Sequence, residues 1–218
     1  MKTLFFLLIP IFLFSQNENI EKMKKLPTAE FEKVFSDSIA NLNSLDLWNF
    51  IKEAKESEIE LSRFNSTFIN RFENAKWANE LGFLLEILIE QKTENSILEK
   101  NLNDKKEIWD KGEWSGKFWR IIIEHKLKII ESDYFVINEK GEKEYNLKLL
   151  IEEKIKRNEI GENPLLEVNY SVTKFNKNEL LETLEKLNIK DIQVIPKQKS
   201  VSLFGKNGID GVLKVLTK

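Results

Sequence analysis

The stretch NPLLEVNYSVTKFNKNELLETLEKLNIKDIQVI, residues 163–195, carries the clearest secondary-structure pattern of the chain. Apolar and polar residues alternate over Leu166–Tyr170, which predicts a strand. The leucines of residues 180–187 lie on one face of a helix. A second strand is predicted for residues 189–195, because a proline follows directly and cannot extend the hydrogen-bonded ladder. The stretch therefore predicts a strand–helix–strand unit.

Two further apolar runs, Val201–Phe204 and Val212–Leu216, follow this unit. We interpret both as extended segments on either side of a turn, and the segment as a whole is predicted to be a β-α-β-β module. Gly205, Gly208 and Gly211 lie between the two runs, where a tight loop needs a positive φ or a close backbone approach. A phosphate-binding loop is not expected, because the spacing differs from G-x-G-x-x-G and no helix is predicted to follow.

The region before this module has a different pattern. The turn residues of 159–164 mark a boundary. Alternating apolar residues at 135–137 and at 145–149 flank the sequence EKGE. This arrangement predicts a β-hairpin with Gly141 at a positive φ.

The N-terminal half has helical periods from residue 26 to residue 102. Three phenylalanines recur at every fourth position over Phe64–Phe72, and a second stripe covers Trp77–Leu88. The two stripes are out of phase, so we expect a helix break near Asn74.

Ser44 is placed to cap a further helix with Leu45, Trp48 and Ile51 on its apolar side. The chain is therefore predicted to have an α+β fold with a mostly helical N-terminal domain. The predicted segments are a signal peptide at 1–15, a helical domain at 16–105, a mixed α/β region with a hairpin at 106–160, and the C-terminal module at 161–218.

The first residues predict a secretory signal peptide. Lys2 is the only charge before Glu18, Leu4–Phe14 is apolar, and cleavage is expected between Ser15 and Gln16. An apolar run of this length covers only about half of a bilayer core of about 30 Å. We therefore expect a protein that is exported to the periplasm, to the outer membrane or out of the cell, with no transmembrane segment in the mature chain.

The composition excludes several functional classes. The chain of 218 residues has 34 Lys and Arg against 36 Asp and Glu, a net charge of −2, so a basic nucleic-acid-binding protein is not expected. It has one histidine and no cysteine, which excludes thiol chemistry and most zinc sites. We expect neither a metal nor another cofactor.

The C-terminal module resembles the plug domain of TonB-dependent outer-membrane receptors. The residues that carry the resemblance are Asn163-Pro164-Leu165-Leu166, Leu187-Asn188-Ile189-Lys190-Asp191-Ile192, the run from Leu203 to Val212, and Thr217-Lys218. Asp210 stands where the family usually has Asn or Ala, and Leu216 where Thr is common. The resemblance implies an envelope location and a link to TonB-dependent transport.

A transporter is not expected, because the 22 strands of a receptor barrel alone need about 220 residues. We expect a non-catalytic envelope interaction protein that is an accessory to such transport. Its partner would be an outer-membrane receptor or another envelope protein. The expected docking residues belong to the loop of the plug-like motif: Phe204, Gly205, Gly208, Asp210 and Gly211.

Two alternatives remain at this point. Trp109, Trp114 and Trp119 recur every five residues, and if exposed and coplanar they would form a stacking platform for a glycan or another small ligand. The competing interpretation is that these rings fill the core. An enzyme is less expected: it would need the single histidine, His125, or a close pair among carboxylates such as Asp110, Glu113 and Glu124.

Overall fold

The structure is a computed structural model that describes residues 17–218. The predicted signal peptide and its cleavage site between Ser15 and Gln16 lie outside the described residues. The predicted α+β class is confirmed, because helices dominate the N-terminal part and the strands lie in the C-terminal part.

The described residues contain eleven α-helices and six strands. The helices are α1 (Asn17–Met23), α2 (Thr28–Asn41), α3 (Ser44–Glu56), α4 (Asn65–Asn74), α5 (Ala78–Glu90), α6 (Asn95–Asp104), α7 (Lys106–Trp109), α8 (Gly112–Glu124), α9 (Leu147–Lys156), α10 (Leu180–Glu185) and α11 (Lys197–Phe204). The strands are β1 (Phe135–Ile137), β2 (Lys143–Tyr145), β3 (Leu165–Val168), β4 (Ser171–Thr173), β5 (Ile189–Ile195) and β6 (Val212–Thr217). Short 3₁₀ turns occupy Leu61–Phe64 and Gly205–Gly208.

The described chain divides into two compact units. The first contains the described residues up to Ala75 together with Phe83–Thr93, and the second contains Lys76–Gly82 and Glu94–Lys218. Among residues 17–218, every helix is too short or too polar to traverse a lipid bilayer.

The core of the first unit is built from phenylalanine rings. The ring of Phe35 lies 4.3 Å from that of Phe64 and 4.8 Å from that of Phe50, measured between centroids. Phe68 and Phe72 are fully buried on α4. The predicted break is confirmed, because α4 ends at Asn74 and the next helix begins at Ala78.

The predicted apolar side of α3 is only partly correct. Leu45 and Trp48 are exposed, whereas the buried positions include Leu47 and Ile51. The cap is Asn43 and not Ser44, because the Asn43 side chain accepts hydrogen bonds from the first backbone N–H groups of the helix. The prediction fails because the apolar residues of this helix are compatible with two neighbouring stripes. Tertiary packing decides which of the two stripes is buried.

The predicted hairpin of the second unit is confirmed, with β1 antiparallel to β2 and Gly141 at a φ of +75°. Leu147 and Leu149 do not extend its second strand, as the alternation predicted. They belong to α9, because the Asn146 side chain accepts the Leu149 N–H at 3.1 Å and so starts a helix there.

The C-terminal strands form one sheet in the order β4-β3-β6-β5. Strands β3 and β6 run parallel, and the other two pairs are antiparallel. One face of the sheet packs on α9 and α10, in a core that includes Leu166, Leu184, Leu213 and Val215.

The C-terminal segment contains more helices and strands than the predicted β-α-β-β order. Val201–Phe204 is not a strand but the end of α11, which starts directly after Pro196. Strand β4 was not predicted either. It is joined to β3 by a turn of Asn169 and Tyr170, and both residues have positive φ. That is the turn geometry which matches the twist of a hairpin, although it normally contains glycine.

Candidate functional site

The glycine loop, residues 205–211, connects α11 to β6. Gly205 ends the helix with a φ of +57°, and Gly211 has a φ of +83°. Both conformations favour glycine. At these two positions, the backbone conformation is therefore the reason that the loop requires glycine.

Gly208 is required for a different reason. A Cβ atom at this position would lie 2.5 Å from the carbonyl oxygen of Ser200. The buried Ser200 hydroxyl also donates a hydrogen bond to the Gly208 carbonyl at 2.6 Å. The loop therefore folds back tightly onto α11.

The far end of the loop is attached to the boundary segment before β3. The Gly161 N–H donates to the Asp210 carbonyl at 2.8 Å, and the Leu165 N–H donates to the Gly211 carbonyl at 3.0 Å. A Cβ on Gly161 would lie 2.3 Å from the Asp210 carboxylate. The Asp210 side chain therefore packs directly against the backbone of Gly161.

The outer side of the loop is exposed. Ile209 retains 59% of its surface and Leu203, at the end of α11, also retains 59%. The Phe204 ring is half-buried, with the Lys214 ammonium 5.6 Å from its centroid. Of the five predicted docking residues, Gly208 and Gly211 are buried, and Gly205 is exposed. The structure brings the five together, and it adds Ile209 and Leu203 as exposed apolar neighbours.

The tryptophans do not form a stacking platform. Trp109 and Trp119 are buried, and only Trp114 is partly exposed. The rings of Trp109 and Trp119 meet edge to face at 68°, and the Trp109 indole N–H donates to the Leu102 carbonyl. The platform alternative is therefore wrong for Trp109 and Trp119, whose rings fill the core of the second unit as the competing interpretation predicts.

The candidate catalytic groups are dispersed. His125 is exposed just after α8. Asp110 lies in a buried ion pair, and Glu113 pairs with Lys190 at the surface. Within residues 17–218, no group of three or more His, Cys, Asp or Glu residues is arranged to hold a metal ion.

The most elaborate polar site in the second unit is a buried network around Lys143. Its ammonium donates to Asp191 at 3.1 Å, and to the carboxylate and the carbonyl of Asp110 at 2.9 Å and 3.2 Å. The Tyr145 hydroxyl donates to the same Asp191 oxygen at 3.1 Å and accepts the Ile192 N–H at 3.1 Å. Burial and the neighbouring Asp191 carboxylate raise the pKa of Tyr145 far above its ordinary value. Sequence reasoning missed this network.

A cleft of about 800 Å³ opens beside this network. One wall is the exposed side of α8, and the other is the hairpin loop at residues 139–143, with Lys190 and Lys218 at the rim. The volume lies in the range of small-ligand sites.

Comparisons with known protein families, with curated proteins and with solved structures found no match to this chain.

Proposed function

We propose that the chain is an exported, non-catalytic binding protein of the bacterial envelope, and that its glycine loop docks onto a TonB-dependent outer-membrane receptor. The observation that carries this proposal is an exposed apolar pair, Leu203 at the end of α11 and Ile209 in the adjoining glycine loop, whose backbone is fixed from both sides. The resemblance of residues 163–218 to receptor plug domains supports the choice of partner, and the predicted signal peptide supports the location.

A loop that is already fixed loses little conformational entropy when it binds, which favours affinity. Lys199 and Lys206 are exposed beside the two apolar side chains. A complementary partner surface is therefore apolar at its centre and acidic at its rim.

The test is co-purification of the affinity-tagged protein from the producing cells after chemical crosslinking. Ile209→Glu places a charge at the centre of the proposed interface, and we expect it to abolish recovery of the receptor. Val136→Glu is the matched control, because Val136 is similarly exposed, at 58%, on the separate hairpin of the same unit.

The proposal requires that mass spectrometry identify a receptor containing a plug and a barrel among the proteins recovered with the unaltered chain. It is overturned if no such receptor is recovered, or if the two glutamate variants reduce its recovery equally. Unchanged circular dichroism of both variants excludes misfolding as the cause.

A further inference from the structure

Half of the charged side chains that line the cleft already have a partner of opposite charge. Lys190 pairs with Glu113, and Lys218 pairs with Glu142 at 2.7 Å. Lys143 uses its donors on the two buried aspartates. These residues define the rim and floor of the cleft but have little capacity left for a ligand.

Five other lining charges form no ion pair with any residue in the described part of the chain. They are the cations Lys117, Arg120 and Lys140 and the carboxylates Glu124 and Glu139. Lys117 lies over the Trp114 ring at 4.8 Å, and Arg120 donates through Nε to the Gly116 carbonyl. Both contacts leave other donors of these side chains free.

The charges on α8 are ordered along its axis. Lys117 and Arg120 are one turn apart on the same side of the helix, and Glu124 follows one turn later. From Lys117 to Glu124 the helix rises by about 10 Å. An extended tripeptide spans about 10 Å as well.

The hairpin places a second pair of charges opposite this row. A Cβ on Gly141 would lie 2.8 Å from the backbone nitrogen of Arg120, so the hairpin loop reaches α8 at that residue. Glu139 and Lys140 immediately precede this contact. The cleft is therefore bordered by both signs of charge on both walls.

We propose that this cleft binds a short peptide with free termini. Arg120, with Lys117 and Lys140, holds the carboxylate through charge-assisted hydrogen bonds, for which the planar guanidinium is well suited. Glu124, about 10 Å from Lys117 along the helix axis, holds the terminal ammonium. This site is separate from the glycine loop, and the inference does not depend on the proposed docking of that loop.

The test is calorimetric titration of the full mature chain with trialanine, with its N-acetylated form and with its C-amidated form. We expect saturable binding of trialanine, and a loss of about tenfold or more when either terminus is blocked. Arg120→Gln should weaken trialanine binding by a similar factor without further weakening the C-amidated form. Glu124→Gln should behave in the same way towards the N-acetylated form.

Lys128→Gln is the matched control, because Lys128 is exposed in the same unit but does not line the cleft. It should bind all three probes as the unaltered chain does. The inference is overturned if trialanine shows no saturable binding at millimolar concentration, if the blocked forms bind equally well, or if the control loses as much affinity as the cleft variants. Should Arg120→Gln fail to fold, Lys140→Gln provides the same comparison.

Discussion

The Asp191 carboxylate accepts the backbone N–H of Gly112 at 2.7 Å, and so caps helix α8 from a strand that lies 79 residues further along the chain. A carboxylate at a helix N-terminus satisfies a free N–H group and interacts favourably with the helix dipole. The other oxygen of Asp191 accepts from Lys143 and Tyr145. One residue of β5 thus connects the sheet, the hairpin and α8 within the second unit.

Lys143→Met is expected to destabilise the protein by about 3–5 kcal/mol, because it leaves two buried carboxylates without their shared cation. Chemical denaturation monitored by circular dichroism measures the change. Lys140→Met on the same hairpin is exposed and should change the unfolding free energy by less than about 0.5 kcal/mol. Equal effects of the two substitutions would contradict the assignment of Lys143 to a structural ion-pair network.

Tyr145→Phe should destabilise the protein by about 1–3 kcal/mol at neutral pH, because the Ile192 N–H loses its acceptor. The difference from the unaltered chain should shrink as the pH rises above about 10. There, tyrosine in the unfolded chain loses its proton, while Tyr145 in the folded protein keeps it because its pKa is raised. Unfolding curves measured between neutral pH and pH values above that point test this, and a constant difference would refute it.

Gly208→Ala should lower the unfolding free energy by about 1–3 kcal/mol, since the new Cβ would overlap the Ser200 carbonyl. Gly116→Ala is the control. Gly116 lies within α8, and the nearest atom to a Cβ added there is 3.9 Å away. The alanine substitution should therefore stabilise the helix by about 0.5–1 kcal/mol. Thermal and urea unfolding distinguish these opposite signs, and a neutral Gly208→Ala would show that the loop packs less tightly than described.

Tyr170→Gly should stabilise the hairpin of β3 and β4 by about 0.5–1 kcal/mol. Tyr170 is 80% exposed and has a φ of +66°, a conformation that glycine adopts without steric cost. Urea unfolding measures the gain. A loss of stability would mean that the tyrosine ring makes favourable contacts that outweigh its backbone strain.

The sequence predicts those elements whose signals are local. Strand β5 ends at Ile195 because Pro196 follows, and the break after Asn74 follows from two phase-shifted stripes. The positive φ of Gly141 follows from a turn sequence between two short strands. Each of these features depends on residues that are close neighbours in the chain.

The features that sequence reasoning missed depend on tertiary contacts. The apolar run Val201–Phe204 suits a strand, but the segment is helical and contacts Gly208. The contact between Lys143 and Asp191 joins residues 48 positions apart, so no local pattern reveals it. The one available signal was Asp191 itself, a charged residue within the otherwise largely apolar strand β5. The sequence could not decide whether Trp109 and Trp119 are buried in a core or exposed on a platform, because their spacing is compatible with both.

Site-specific photocrosslinking from Asn207, an exposed residue of the glycine loop, tests whether this loop docks onto a receptor. A photoreactive phenylalanine analogue replaces Asn207 in the producing cells, and the same analogue replaces the exposed Lys128 in a control strain. We expect an adduct with a TonB-dependent outer-membrane receptor from position 207 and none from position 128. The absence of a receptor adduct at position 207, or equal yields at both positions, would contradict the proposed docking.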